Sequence, residues 1–235
     1  MPIMSIDLES RIETFAKWLY KARYPVFFTG AGISTASGLP DFRGPDGVWT
    51  RRDKGLPPAA GKPWETVEPN SGHLALVELQ KLDRLKFLIS QNVDNLHLKS
   101  GIPPDLLAEL HGNITRLRCR RCEKTFDRSA GKKACVCGGA LVSSVVDFGQ
   151  SLPVKDLSFS FKHSAKSDLF VVVGSSLVVT PAADIPMEAL RAGAKLVIIN
   201  AEETPFDSLA HLRFHEKIGQ VLPPAVTRLK ILMGL

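Results

Sequence analysis

Four sulfur ligands stand close together in this sequence. Its cysteines, Cys119, Cys122, Cys135 and Cys137, fall within nineteen residues as C-x2-C, twelve residues, then C-x-C. Four thiolates complete a tetrahedral zinc shell and leave no open position, so the metal such a set holds is structural. Unrelated core cysteines would scatter along the chain, and disulfides need an oxidising compartment. Around the thiols, residues 116–133 hold eight basic side chains against Glu123 and Asp127, an excess of +6 that equals the net charge of the whole chain. A zinc tetrathiolate is negative, and these cations offset it. The remaining excess suits a weak acidic or nucleic-acid partner. Phe126 is the lone ring in the stretch, so a solvated, metal-balancing face outweighs a base-stacking platform.

Two further kinds of group could do chemistry. Gly30-Ala31-Gly32 is a turn whose backbone can approach a phosphate ahead of a helix N-terminus. Thr35 occupies the third glycine position of G-x-G-x-x-G and Gly38 comes too late, so this fragment alone leaves a structural turn and a dinucleotide site open. The six histidines, at 73, 97, 111, 163, 211 and 215, are candidate bases, because an imidazole titrates near neutrality. Residue type alone does not choose among them.

Elements must position these groups. Leu8, Ile12, Phe15 and Leu19 recur at steps of 4, 3 and 4, which predicts an amphipathic helix. Val26-Phe27-Phe28 predicts a buried strand running into the glycine turn. Five prolines in 44–72 predict an irregular loop, and helix signals resume at Asn70 or Ser71 with Leu74, Val77 and Leu82 on one face. Residues 85–90, 168–173 and 195–199 are further strand candidates, with a helical segment at 182–191. Fully apolar strands separated by helices imply a Rossmann-like α/β fold, a parallel sheet covered on both faces, with an inserted zinc ribbon. Polar or glycine clusters at 30–34, 91–94, 174–176 and 200 then fall at the carboxyl ends of strands, where such sheets bind ligands.

Composition bounds the rest. The chain has 235 residues, 44% hydrophobic and 23% charged, enough for one large domain or one domain with a small insert. Its longest apolar runs fall short of the roughly 18–20 residues of a membrane span. The N-terminus is too polar and acidic for a secretory signal, so a cytoplasmic protein is expected.

In order along the chain come GAGISTASGLPDFR, QNVDNLH, ELHGN, the four-cysteine ribbon, DFG, GSSL and IIN. This layout resembles the sirtuins, NAD-dependent protein deacylases, over almost the whole chain. GPDGVWT and SQNVDNLHLKSG look most like the branch with a reduced helical module. The resemblance implies a discontinuous NAD-binding domain (1–46, 73–114 and 148–235), a reduced helical module or cofactor loop (47–72) and a zinc-ribbon domain (115–147). It implies NAD as co-substrate and one structural zinc.

Carried over position by position, it places Gly30, Ala31, Gly32 and Thr35 at the diphosphate and adjoining ribose. Asp41, Phe42 and Arg43 fall in a mobile cofactor loop. Gln91, Asn92, Val93 and Asp94 would line the nicotinamide-ribose pocket, Asn92 with a catalytic part; Gly174, Ser175 and Ser176, after a neighbouring strand, would also bind the cofactor, Asn200 meets the adenosine ribose and Ile218 packs near adenine. His111 becomes the base. The implied reaction starts with the acyl-lysine carbonyl oxygen displacing nicotinamide. His111 then takes a ribose hydroxyl proton, and collapse gives 2′-O-acyl-ADP-ribose and free lysine. Val146, Asp147, Phe148 and Gly149 lie in the stretch resembling the strand that pairs with the substrate peptide; Asp147 and Gln150 depart from the family pattern there. A neutral acyl group is expected, because 47–72 lacks the Tyr-x-x-Arg pair suited to carboxylate-bearing acyl groups. Three other readings are weighed: protein mono-ADP-ribosyl transfer, a basic zinc-ribbon nucleic-acid module, and an NAD dehydrogenase.

Overall fold

The computed structural model describes residues 7–235. The stretch judged too polar for a signal begins in residues 1–6, outside the described residues. Helix α1 (Leu8–Lys21) is capped by the Asp7 carboxylate, which accepts from the Ser10 N–H, and buries Ile12, Phe15, Ala16 and Leu19 along the expected stripe. Strand β1 (Pro25–Thr29) follows, fully buried, and a 3-10 turn spans Ala31–Ser37. Next come α2 (Val48–Asp53), α3 (Ser71–Lys81), β2 (Phe87–Ser90), α4 (Leu96–Ser100) and β3 (Leu107–Glu109). The chain then enters β4 (Arg116–Cys119), β5 (Thr125–Asp127) and β6 (Leu141–Ser143). It returns through α5 (Val154–Ser164), β7 (Leu169–Val173), α6 (Ile185–Arg191), β8 (Lys195–Ile199), β9 (Leu212–Phe214) and α7 (Ile218–Leu232).

Six strands pair in parallel in the order β3-β2-β1-β7-β8-β9. The period of two divides each strand between two cores. Phe27, Val171 and Val197 face a layer with Phe15 of α1, Leu76 of α3 and Val221 of α7. Val26, Phe28, Phe170 and Val172 face Ile185 and Ala189 of α6. Both faces are covered, which explains the unbroken apolar runs. Strand order runs outward from β1 to β2 and β3, then restarts on the other side of β1 with β7, which puts a topological switch point between β1 and β7. The excursion between β3 and α5 forms its own antiparallel sheet, β5-β4-β6. Among the described residues, no helix is long and apolar enough to cross a membrane.

Several local expectations need correction. Leu74 is 52% exposed; α3 buries His73, Leu76, Val77 and Leu79, so the apolar face is rotated from the predicted one. The 44–72 loop holds α2 and a 3-10 turn at Trp64–Thr66. The predicted helix at 182–191 opens as a 3-10 turn and becomes α-helical at Ile185. The stretch expected to offer a strand to a peptide is no strand: β6 ends at Ser143, 144–147 is irregular, and a turn follows at 148–149.

Candidate active site

At the switch point two loops touch through backbone alone. The Gly30 N–H donates to the Val173 carbonyl at 3.1 Å and the Gly32 N–H to the Gly174 carbonyl at 2.9 Å. A Cβ on Gly30 would lie 2.7 Å from the Gly174 oxygen, and one on Gly32 2.8 Å from the Gly174 Cα. Gly174 itself has φ +67 and no room for a Cβ, which would meet the Ile33 nitrogen at 2.4 Å. These glycines are therefore required first by loop-on-loop packing. The Thr35 hydroxyl turns back to the Gly32 carbonyl at 3.0 Å.

Behind that turn a polar cluster is built from three strand ends. The Ser34 hydroxyl donates to Asp94 Oδ2 at 2.6 Å, and Asn92 Nδ2 donates to Ser34 Oγ at 3.2 Å. Asp94 Oδ1 accepts the Leu96 N–H, starting α4. Burial raises the Asp94 carboxyl above its ordinary range, against the opposing pull of the Ser34, Leu96 and Asn92 hydrogen bonds. Gln91 Nε2 donates to Ser175 Oγ at 2.7 Å, tying the β2 exit to the β7 exit. Ser175 is buried and Ser176 half-buried, while the Val93 carbonyl accepts the Ile114 N–H. The next residue after Ser176, Leu177, is buried with φ 52, a left-handed turn unusual for a side chain of its size.

His111 follows β3, just past its last residue, Glu109. Its Nδ1 lies 2.8 Å from the Gln91 carbonyl oxygen. A carbonyl only accepts, so Nδ1 carries the proton and Nε2 presents a lone pair. Burial holds the imidazole below its ordinary range, with the Gln91 hydrogen bond acting the other way. A neutral ring with a fixed tautomer is the form a general base needs. His73 and His97, by contrast, are core histidines: both are buried, and His97 Nε2 lies 2.9 Å from Thr29 Oγ1.

The 41–49 loop is organised by its own side chain. Asp41 Oδ1 accepts the Gly44 N–H at 2.9 Å, and a Cβ on Gly47 would meet the same oxygen at 2.6 Å. Asp41 thus serves the loop itself, which no motif reading disclosed. Phe42 is 46% exposed, so it is no core aromatic; it stacks on Trp49 at 5.8 Å. Trp49 in turn meets the edge of Phe148 at 5.6 Å. Arg43 is exposed on the same loop, and its carbonyl accepts from Thr50. This aromatic line joins the loop to the predicted peptide segment. There the Val146 N–H donates to the His111 carbonyl at 2.9 Å, the Asp147 N–H meets Gln150 Oε1 at 3.3 Å, and Gly149 has φ +83. After β8, the Asn200 amide donates to the Glu202 carbonyl, and Ile218 begins α7 with a side-chain carbon 3.1 Å from where a Gly72 Cβ would stand.

The four cysteine sulfurs lie within 4.8 Å of one another. Sγ of Cys119 and Cys137 are 3.5 Å apart, and those of Cys122 and Cys135 3.6 Å. Zinc–sulfur bonds of about 2.3 Å give tetrahedral edges of roughly 3.8 Å, so the set fits zinc. The Arg121 N–H points at Cys119 Sγ at 3.4 Å, the hydrogen bond a thiolate ligand receives. A Cβ on Gly139 would lie 2.5 Å from that sulfur, so only glycine lets the chain pass.

Hydrogen bonds therefore tie Gly30 to Val173, Gly32 to Gly174, Gln91 to Ser175 and His111, and Asn92 and Asp94 to Ser34, all at the carboxyl ends of neighbouring strands. Asn200 follows β8 and Ile218 opens α7, and neither is bonded to this set; the thiols stand apart. Ser34, Trp49 and Asn113 also belong to the site, though no role was assigned to them from sequence; Ser34 lies inside GAGIS and Asn113 ends HGN, so the motif letters were the available signal.

A sequence model described as the Sir2 family matches residues 58–181. The chain is 41% identical over 228 residues to the NAD-dependent protein deacetylase SRT1 of Arabidopsis thaliana, covering 92% of this chain and 48% of that protein. It thus spans about half the length of this plant relative. It is 38% identical to NAD-dependent protein deacetylase 1 of Bradyrhizobium diazoefficiens, over 96% of this chain and 99% of the bacterial one. Among solved structures, a complex described as Sir2-p53 peptide-NAD+ superposes with a TM-score of 0.73 at 33% identity, covering 95% and 98% of the two chains.

Proposed function

The chain belongs to the Sir2 family, and on that premise we propose that it is an NAD-dependent protein-lysine deacylase. The observation that carries the reading is the fixed tautomer of His111, whose Nδ1–H is engaged by the Gln91 carbonyl while Nε2 is left as an acceptor, with Gln91 itself tied to Ser175 at the β7 exit.

The residues present fit the dinucleotide. Gly30 and Gly32 keep the turn free of side chains, Ala31 lies between them, and Thr35 and Ser176 add hydroxyls beside it. Asn92 and Asp94 form a buried polar wall suited to a carboxamide and a ribose. On this reading Phe42 excludes water, Arg43 meets phosphate, and Asn200 and Ile218 receive the adenosine end.

In the proposed sequence, the acyl-lysine carbonyl oxygen bonds to the anomeric ribose carbon as the bond to nicotinamide breaks. The crevice holds the reacting atoms in near-attack geometry and excludes water. His111 Nε2 then accepts a ribose hydroxyl proton, the freed oxygen attacks the acyl carbon, and the lysine amine departs with a proton returned. One water enters, and the products are nicotinamide, acyl-ADP-ribose and free lysine. The thiol quartet holds its metal away from this chemistry and cross-links the ribbon.

On this reading residues 1–46, 73–114 and 148–235 form the NAD-binding domain, 47–72 the cofactor loop and 115–147 the ribbon. Residues 146–149 lie beside His111 and meet the acylated segment of a protein. The exposed basic side chains of the ribbon, Arg120, Lys124 and Lys133 among them, give a secondary contact to an acidic or nucleic-acid partner. A reducing cytoplasm suits the four thiols.

The test is incubation of the zinc-loaded protein with NAD and a panel of acylated peptides, read by mass spectrometry. Deacylated peptide with stoichiometric acyl-ADP-ribose is expected. Label from NAD fixed covalently to protein, with no acyl-ADP-ribose, would replace the reading with ADP-ribosyl transfer.

A further inference from the structure

Asn113 is 1% exposed, and its side chain makes four hydrogen bonds to three residues. Its amide nitrogen donates to Glu109 Oε1 at 2.6 Å and to Asn95 Oδ1 at 2.9 Å. Its amide oxygen accepts from the Thr115 N–H at 2.9 Å and the Thr115 hydroxyl at 2.8 Å. Its backbone is held as firmly: the N–H donates to Ser144 Oγ at 3.0 Å, and that hydroxyl donates back to the Asn113 carbonyl at 2.7 Å. The residue lies two positions after His111, and Glu109 lies two before it. Between them Gly112 has φ +78, and a Cβ there would stand 1.9 Å from the Ser144 carbonyl oxygen. The turn carrying His111 is thus closed by a hydrogen bond from i+2 to i−2 and stapled to the 91–95 loop and to segment 144–146.

We propose that Asn113 is a positioning residue for the base, its buried amide clamping Glu109 across the turn so that His111 keeps its aim into the crevice. The inference rests on the deacylase reading. A saturated amide in a dry site is strongly directional, because every lost partner leaves a buried group unpaired. The clamp reaches the substrate side as well, since Asn95 continues the segment that holds Asn92 and Asp94, and Val146 bonds the His111 carbonyl. Its acceptor is sensitive to charge. Burial pushes Glu109 up to about 7, opposed by the Asn113 hydrogen bond and by Arg116, while Asp156 and Asp94 push it further up. A second carboxylate at 113 would therefore meet an acidic neighbourhood.

Four measurements on the zinc-loaded full chain test this. Asn113→Ala should lower kcat for deacylation by about 10²-fold with the KM for NAD little changed, as expected for a misplaced catalytic group. Exchange of labelled nicotinamide into NAD should persist, since nicotinamide leaves before His111 acts. The His111 ring titration, followed by NMR and assigned against His111→Asn, should move towards the ordinary imidazole value. Asn113→Asp should be as poor as Asn113→Ala, and adding Glu109→Gln should restore turnover by reversing donor and acceptor. Parallel loss of exchange and deacylation, an unmoved His111 titration, or no rescue by the swapped pair would each overturn the proposal. If the parent protein deacylates nothing, the deacylase reading fails, yet the ring titration still decides whether Asn113 positions His111.

Discussion

His111 performs its proposed role through a single hydrogen bond, so substitution there has a clear expected signature. His111→Ala removes the proton acceptor and touches no core element: deacylation should fall below detection while thermal stability and zinc content stay near those of the parent. Near-normal turnover would remove the residue from the mechanism. Its titration is held below about 6.5 by burial, and the working form is the neutral one. The acid limb of kcat should therefore have its midpoint below the ordinary imidazole value, with the rate rising with pH through that midpoint and flat above it. Residue roles were legible only through motif letters. ELHGN singled out His111 from six histidines, yet nothing in it tells that Asn113 fastens the turn, because that depends on Ser144, thirty-one positions away. Likewise Gly30 and Gly32 read as phosphate-turn glycines, and their tightest constraint is the backbone of Gly174 on another strand.

Among elements, the long buried strands were easy to read and the short ones were not. β1, β7 and β8 are continuous apolar runs, whereas β3 and β9 hold three residues each and carry no period to detect. α7 contains Pro223 and Pro224 as its sixth and seventh residues, past the first turn whose N–H groups lack helical partners, so a breaker rule applied to the sequence ends this helix too early. The misread face of α3 has a different cause. His73 and Gly72 count as polar or neutral in a pattern, but they pack inward and turn Leu74 out to solvent. Two element-scale predictions follow from close contacts. Cys119→Ser should lose metal and destabilise the β4–β6 sheet, seen as faster amide exchange in 116–143 with β1 and β7 still protected. A variant with normal zinc content and unchanged exchange would contradict the ligand assignment. Gly112→Ala must move the His111 turn away from Ser144 to relieve a 1.9 Å contact, so both stability and kcat should drop, the former by about 2 kcal/mol or more. Equal stability of the two proteins in urea would mean the turn is far softer than its geometry implies.

At the scale of the whole molecule, buried titratable groups pull stability in opposite directions with pH. His73 is kept neutral by burial, its titration lowered from 6.5 to about 4, and His97 is lowered as well. The unfolded chain binds protons that the folded chain refuses, so this pair makes stability rise with pH between about 4 and 6.5. Glu109 acts the other way. Raised from 4.5 to about 7, it holds its proton longer when folded, so its contribution is full below about 4.5 and is lost as pH climbs through 7. Removing it should steepen the climb: Glu109→Gln should gain on the parent protein between pH 5 and pH 8 in urea unfolding. A difference that stays constant over that range would place Glu109 at an ordinary value. The sheet order was open to sequence reasoning only as far as parallel pairing. Which strand lies beside which is set by the one long crossover from β3 that returns to the other side of β1, and no local pattern encodes that.

The reciprocal bonds between Asn113 and Ser144 also fasten together the two ends of a thirty-residue detour. Because departure and return are pinned at one point, the contents of the detour can lengthen, shrink or change charge with little demand on the sheet it leaves. Exchanging that cassette between related chains, cut just outside the clasp, should therefore leave the parallel sheet intact.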